Sequence, residues 1–478
     1  MNDASRAPLV DGPQNRERPR GAVGPLRTVG AAFVIAALAA SCSARGDPGN
    51  PLPGSSKLAG GTILHAFGGP GAPMQDGAEP KGTLTAVTVD GKVVLFGRTA
   101  VGGIRDCGII FAINPDGSGY DVRYRFRGSD GCDPRHDAMV LNPNDGKLYG
   151  ATLGINQSDN KAYGSQGHIH AFKPDAPLSF PIPIVKTFTG EPGAGQQHSS
   201  FSIDPVTGFL YGQSAFGGKD NKGLLYAVRA DGTDFVSLHD FKKSTGSHPH
   251  GRIVLHDGVL YGVTRSDGDL PGGRKKGHGV VFSYPLVSPP TGGPYTVLHT
   301  FAGAPNDGAL SDHGYLTPVT IGSKTILFGL TQCGGTGRGK DACAPSDGGG
   351  AGTVYQIDPG APPGSRRAFS IVHSFQGRER GDGAEPYGSL MYDGTYLFGT
   401  TSAGGLYGKG TVFRIRPVAF GAKATPTLLH HFGADANAGA KPIDNVIKVG
   451  NTLYGLTVYG GLAAGLGNGT VFAIPLPN

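Results

Sequence analysis

The chain predicts an all-β fold: a seven-bladed β-propeller of four-stranded antiparallel blades. Three observations carry this. A Leu-aromatic-Gly triplet recurs seven times, as Leu95-Phe96-Gly97, Leu148-Tyr149-Gly150, Leu210-Tyr211-Gly212, Leu260-Tyr261-Gly262, Leu327-Phe328-Gly329, Leu397-Phe398-Gly399 and Leu453-Tyr454-Gly455. Each triplet sits in one longer phrase: His-x-Phe, an Asp-Gly-Ala-x-Pro-like turn, the triplet, then Gly-x-hydrophobic-aromatic. The two ends of the array are out of phase by one strand, as a closed ring requires. Stacked repeats share one continuous core, so the repeat outranks any domain count drawn from length.

The copy at 382–432 shows the four strands of a blade. Asp382-Gly383-Ala384-Glu385-Pro386 is turn chemistry. Residues 388–392 alternate as a first strand, and Asp393-Gly394 is a strong hairpin signal. Residues 396–401, 410–415 and 427–432 give the second, third and fourth strands. Four short strands closed by turns make one propeller blade. The fourth-strand aromatics, Phe67, Phe126, Phe188, Phe241, Phe301, Phe375 and Phe432, recur roughly every 60 residues, longer than common propeller repeats of ~40–50. The excess lies in insertions at 154–166, 265–278 and 332–351, all between strands two and three. An insertion at a fixed point of a repeat falls on one face of the array.

The array opens at Thr62–Phe67 with a lone fourth strand and closes at Gly469–Ile474 with a third strand. The N-terminal strand 62–67 therefore completes the C-terminal blade 443–474. This pairing removes both open sheet edges.

The 478 residues include 83 Gly, 37 Pro and no Trp. The glycines recur in phase with aromatics, which reads as turn-rich β structure rather than disorder. The net charge of +6 is spread thinly, and residues 1–41 hold five Arg against two Asp and one Glu. Nucleic-acid binding needs clustered basic residues, so none is expected. Lys242-Lys243 and Arg274-Lys275-Lys276 read as solvated loop tips.

Residues 1–41 read as a signal peptide. The apolar stretch 28–41 is too short to span a bilayer and fits a signal core. Leu38-Ala39-Ala40-Ser41-Cys42 is similar to a bacterial lipobox, which makes Cys42 the lipidation site. Ala39 stands where Leu is commoner, so ordinary secretion with cleavage near Ala40 is the alternative. Residues 42–61, rich in Gly, Pro and Ser, are a flexible tether, and 62–478 is the propeller. Ser43, with no acidic side chain after the Cys, points to an outer-membrane or cell-surface address. Unlipidated protein would be periplasmic or extracellular.

Export permits disulfides. Cys333 and Cys343 bracket one Gly-rich insertion, and Cys107 and Cys132 sit in neighbouring copies. Four cysteines allow three connectivities, and sequence does not choose among them. No short Cys-x-x-Cys spacing suggests zinc.

The repeated fourth-strand histidines, His65, His239, His299, His373 and His430, lie on different blades, so they read as structural. Tyr124 and Lys186 replace them in two copies. The aromatic of each triplet reads as packing between blades. Ligands of propellers bind at the channel mouth, on loops that differ between blades. Aligning the turns on the Gly of Pro-x-Gly puts Glu79, Lys81, Arg135, Asp137, His198, His248, His250, Asp312, His313, Glu385 and Lys441 around that rim. His198, His248, His250 and His313 are the weak candidates for a metal, from blades three to five. Otherwise no metal and no cofactor is expected, and no catalytic residue is assigned. Glu79 and Glu385 lie on blades one and six, which gives no clear carboxylate pair for glycoside hydrolysis. There is no Gly-x-Ser-x-Gly elbow. Gly334–Lys340 fails as a phosphate loop because Asp341 follows the Lys.

His-x-Phe, Asp-Gly-Ala-x-Pro-x-Gly-x-Leu, Leu-Tyr/Phe-Gly-Thr-Thr-x-x-Gly-Gly and Gly-Thr-Val-Phe together resemble the GloVer tandem repeat of bacterial "choice-of-anchor" surface proteins. The resemblance covers residues 62–474. It is sharp in copies six and seven, clear in one and five, and eroded in two to four, where His170 takes the place of Phe. It implies an exported propeller and no established activity. The anchor expected is the lipidated Cys42, the chain's link to a membrane. The expectation is a monomeric binding or interaction scaffold whose partner is a glycan, a peptide or an envelope protein. The alternatives are a polysaccharide lyase or hydrolase using rim His, Arg and Tyr, and a purely architectural envelope protein.

Overall fold

A computed structural model describes residues 60–68, 75–136, 138–156, 161–162, 167–178, 180–189, 200–270, 276–288, 290–365, 368–435, 438–461 and 467–477. All belong to one compact unit, Ser56–Asn478. Residues 1–59, which hold the expected signal peptide, Cys42 and most of the expected tether, lie outside the described residues. Among the described residues, no helix is long and apolar enough to cross a membrane.

Seven antiparallel four-stranded sheets follow one another along the chain. Blade 1 is Thr85–Val89, Lys92–Thr99, Ile109–Ile113 and Asp121–Arg125. Blade 2 is Val140–Leu141, Leu148–Thr152, His168–Phe172 and Ile184–Thr187. Blade 3 is Ser202–Ile203, Phe209–Ser214, Leu224–Arg229 and Val236–Asp240. Blade 4 is Val254–His256, Val259–Val263, Val280–Ser288 and Thr296–Thr300. Blade 5 is Thr317–Ile321, Lys324–Thr331, Thr353–Ile357 and Phe369–Ser374. Blade 6 is Met391–Tyr392, Leu397–Gly404, Thr411–Ile415 and Thr427–His431. Blade 7 is Ile447–Val449, Thr452–Thr457 and Thr470–Pro475, with Thr62–Ala66 as its fourth strand. The ring closes as the sequence predicts, with Thr62 opposite Ala473, Ile63 opposite Phe472 and Ala66 opposite Thr470.

The repeat phrase explains the packing. The Gly of each triplet leaves room for the third-strand aromatic to lie over the second strand. A Cβ at Gly97 would stand 2.3 Å from the Phe111 ring. The triplet aromatic packs toward the next blade: Phe96 shares a cluster with Leu148 and Phe172, and Phe398 with Leu453 and Phe472. In every blade the third and fourth strands shift register at the same point, for example between Val354 and Tyr355 and between Val412 and Phe413. Such a bulge strengthens the local twist.

Beyond the bulge stands the repeated His, edge-on to its own Phe: His373 to Phe375 at 4.9 Å, His299 to Phe301 at 5.3 Å. Its Nε2 reaches the Asp of the next turn, at 3.0 Å in both His299–Asp307 and His373–Asp382. Where Tyr124 replaces the His, its hydroxyl donates to Asp130. Where Thr245 replaces the Asp, it meets His239 at 3.5 Å. These side chains latch one blade to the next turn, the structural role the sequence implied. Cys107–Cys132 and Cys333–Cys343 form disulfides, with Cα separations of 4.4 and 5.7 Å. The first joins blade 1 to the turn entering blade 2. The second staples the blade 5 insertion.

Candidate site at the channel mouth

The turn entering each blade is a backbone clamp. In all six described copies the residue after the small one is left-handed: Glu79, Asp133, His248, Leu310, Glu385 and Lys441, with φ between 50° and 58°. Its N–H donates to a carbonyl of the preceding blade's connection, as in Glu385 to Ala351 at 2.8 Å and His248 to Lys222 at 2.9 Å. Its carbonyl accepts from the second-strand end of its own blade, as in Gln332 to Leu310 at 2.9 Å. Left-handed geometry costs a non-Gly residue roughly 1–3 kcal/mol unless its surroundings fix it, and these paired bonds do so.

Two turns carry one residue more than the others: His136 in blade 2 and His313 in blade 5. Both are left-handed, with φ of 61° and 55°. The added residue pushes an imidazole into the mouth, and the two rings stack at 3.6 Å and 18° although their blades are not neighbours. Arg98 supports this from blade 1. Its guanidinium donates to the His136 carbonyl at 3.0 Å and to Ala151 at 2.9 Å. Gln213 holds the carbonyl of Gly251 in the same way, and Thr400 that of Asp444 at 2.7 Å. Gly251 abuts the turn of blade 5, where a Cβ would stand 1.7 Å from the Gly314 oxygen. That contact brings His250 to Asp312.

Asp312 is the hub. It is 5% exposed at its side chain. Its Oδ1 meets His250 Nδ1 at 2.8 Å and His313 Nε2 at 3.3 Å. Its Oδ2 accepts from Arg265 Nε at 2.9 Å and Tyr387 Oη at 3.4 Å. Burial opposes the charge on Asp312, but the imidazoles of His313 and His250 and the Arg265 guanidinium outweigh it and hold the carboxyl well below its usual range. Burial pushes His313 down to about 3, against the pull of Asp312, so this ring is neutral at neutral pH. Burial, with Asp312 alongside, raises the Tyr387 phenol well above its ordinary value. His313 lies between the rings of His136 and Tyr387, the latter at 5.1 Å. Its Nδ1 is buried with no hydrogen-bond partner among the described residues.

A cavity of about 280 Å³ opens beside this hub, lined by Lys81, Arg135, His136, His313, Glu385, Tyr387 and Lys441 among others. A groove of about 530 Å³ shares Glu385, Ser402, Lys441 and Tyr459 with it and runs on between blades 6 and 7. Lys81 is paired with Glu79 at 2.6 Å, and Arg135 binds Asp133 through both ends of its fork. Further along the turns, Arg252 lies over the Tyr315 ring at 4.2 Å, and Asn445 donates to the Tyr315 hydroxyl at 3.2 Å.

The structure thus brings Lys81, Arg135, His313, Glu385 and Lys441 to one cavity, and His250, Asp312 and His313 to one point. Glu79 stands behind Lys81. His248 is bound to the Ser247 hydroxyl at 3.0 Å and packed on Phe216, and it is not part of the His250–Asp312–His313 group. Asp137 and His198 lie outside the described residues. The sequence reading omitted His136, Arg265, Tyr387 and Arg98. The extra residue in copies two and five was the visible signal for His136. Tyr387 occupies the position of Lys81 but is not charged at neutral pH, so charge does not mark it in the sequence.

Fold and mouth define the chain as a closed seven-bladed propeller with a polar site at one end of its channel. It belongs to the Gloeobacter/Verrucomicrobia repeat family, which matches residues 154–341 and 337–478. That match leaves blade 1 and the start of blade 2 outside it, although blade 1 carries the full phrase. The fold is similar to that of the polysaccharide lyase Uly1, at 12% identity and a TM-score of 0.45, covering 88% of this chain and 100% of that one. The sialidase of Trypanosoma rangeli follows at 14% identity and 0.40, covering 84% and 72%. The propeller domain of the Trilobed protease of Pyrococcus furiosus matches at 9% and 0.40, covering 84% and 97%. No curated protein matches the chain in sequence.

Proposed function

We propose that the protein is an exported cell-envelope lipoprotein whose propeller binds an oligosaccharide at the channel mouth. One observation carries the ligand reading: the mouth cavity and the groove between blades 6 and 7 share Glu385, Ser402, Lys441 and Tyr459, forming one elongated polar cleft. Two of its cations, Lys81 and Arg135, are paired within the protein with Glu79 and Asp133. A saccharide chain offers hydroxyls to Glu385, Ser402 and Lys441. Its C–H face suits the ring of Tyr459, half exposed at 47%. Ligand pockets combine such aromatic surface with a few placed polar groups. Two disulfides suit an oxidising compartment, and Cys42 supplies the anchor.

A glycan array probed with the full-length chain tests the ligand. Retained glycans whose binding is lost in Glu385→Gln and Tyr459→Ala support the reading. Binding only of peptides or envelope proteins, or of nothing, contradicts it. Radiolabelled palmitate incorporation that disappears in Cys42→Ser tests the anchor; a chain secreted unlabelled contradicts it.

The second reading, a lyase or hydrolase acting on the same polymer, draws on neutral His313 and on Tyr387, which face the cavity with Arg135. It predicts release of shortened products, lost in Tyr387→Phe.

A further inference from the structure

We infer that His250 Nδ1, Asp312 Oδ1 and His313 Nε2 form a three-ligand site for a divalent transition-metal ion, zinc being the natural occupant. The three donor atoms come from the turns entering blades 4 and 5 and lie within 4.8 Å of one another. With metal–ligand bonds of about 2.0–2.2 Å, neighbouring atoms of a tetrahedral shell stand about 3.3–3.5 Å apart. The separations from Asp312 Oδ1 are 2.8 Å to His250 and 3.3 Å to His313, so modest ring rotations complete the shell.

Three further features favour a ligand set over a plain hydrogen-bond cluster. Metal ligands must be deprotonated, and here a buried carboxylate stands with two imidazoles. The carboxylate's second oxygen is fixed from outside by Arg265 at 2.9 Å and Tyr387 at 3.4 Å. Outer partners of this kind orient metal ligands and tune their affinity. His313 is held by stacking, between His136 and Tyr387, with its Nδ1 unpartnered among the described residues. Its Nε2 already faces Asp312 Oδ1, the carboxylate oxygen that also meets His250. Protein supplies three ligands, which leaves a fourth position beside the cavity that His313 and Tyr387 line. Zinc sites that keep a position open take water or a ligand oxygen there.

This site differs from the one the sequence suggested. It contains Asp312, and His248 is not in it. It stands apart from the saccharide reading, because metal uptake is measured without any sugar.

The test is equilibrium dialysis of the full-length chain against micromolar zinc, with metal content read by mass spectrometry. One equivalent per chain is expected, with affinity at least 100-fold weaker in His250→Gln/His313→Gln. His256→Gln, a surface change, should retain the full equivalent. Uptake no greater in the wild type than in the double variant overturns the proposal. Should the variants fail to fold, cobalt(II) added to the wild-type chain decides. Intense visible bands of a tetrahedral ion at one equivalent support the site. Only the weak spectrum of hydrated, octahedral cobalt overturns it.

Discussion

The imidazole of His136, in blade 2, stacks on that of His313, in blade 5, at 3.6 Å across the mouth of the channel. Two non-adjacent blades thus touch through residues that the other described turns lack. The stack sets the orientation of His313, and His313 in turn faces Asp312. An aromatic pair of this kind contributes about 0.5–1.5 kcal/mol beyond its buried area. A double-mutant cycle with His136→Ala and His313→Ala, followed by thermal unfolding, should return a coupling of that size. Additive effects would mean the contact carries no energy.

Buried histidines should also make the protein acid-sensitive. His313 has a folded pKa of about 3, and His239 of about 4, both lowered by burial. Each is held neutral in the fold but takes a proton when unfolded, near pH 6.5. Their stabilisation is complete above about pH 6.5 and is lost as pH falls toward the folded values. The depressed Asp312 carboxyl adds loss in the same direction at lower pH. Calorimetry should show Tm declining steadily from pH 7 to 4, with a shallower decline in His313→Gln. A Tm flat over that range would contradict the burial argument.

Gly251 is where blade 4 meets blade 5. A methyl group there would overlap the Gly314 carbonyl at 1.7 Å. Overpacking of this sort costs about 1–3 kcal/mol. Gly251→Ala should lower Tm by several degrees and weaken metal uptake at His250 and Asp312. The same change at Gly258, whose Cβ would meet nothing within 4 Å, should spare the metal site.

The disulfides should differ modestly in strength and more clearly in what they join. A loop of 25 residues, as between Cys107 and Cys132, is closed at a gain of about 3 kcal/mol. Cys107→Ala/Cys132→Ala should cost more stability than Cys333→Ala/Cys343→Ala, whose loop is shorter and confined to an insertion. Equal or reversed Tm losses in calorimetry would argue against a role for the first bridge in holding blades 1 and 2 together.

The architecture was legible because each part of the phrase has one physical task repeated seven times. Gly97 and its equivalents admit an aromatic, His373 and its equivalents latch to an Asp, and Thr62–Ala66 fills the vacancy in blade 7. The site was only partly legible, since function here lies in departures from the repeat. Charged rim residues such as Arg135 and Lys441 stood out by type. His136 and His313 owe their position to one added residue, and Arg265 reaches Asp312 from a separate insertion. Distances across the ring are set by closure, which no local pattern encodes. His248 and His250 looked equivalent in His-Pro-His, yet the left-handed turn gives them different surroundings.

The most direct test of the binding site is hydrogen–deuterium exchange of the full-length chain with and without oligosaccharides released by mild acid from bacterial envelope polysaccharide. Protection is expected only at the turns entering blades 1, 2, 5, 6 and 7 and along the groove between blades 6 and 7. Protection on the outer strands alone, or none at saturating oligosaccharide, would contradict it.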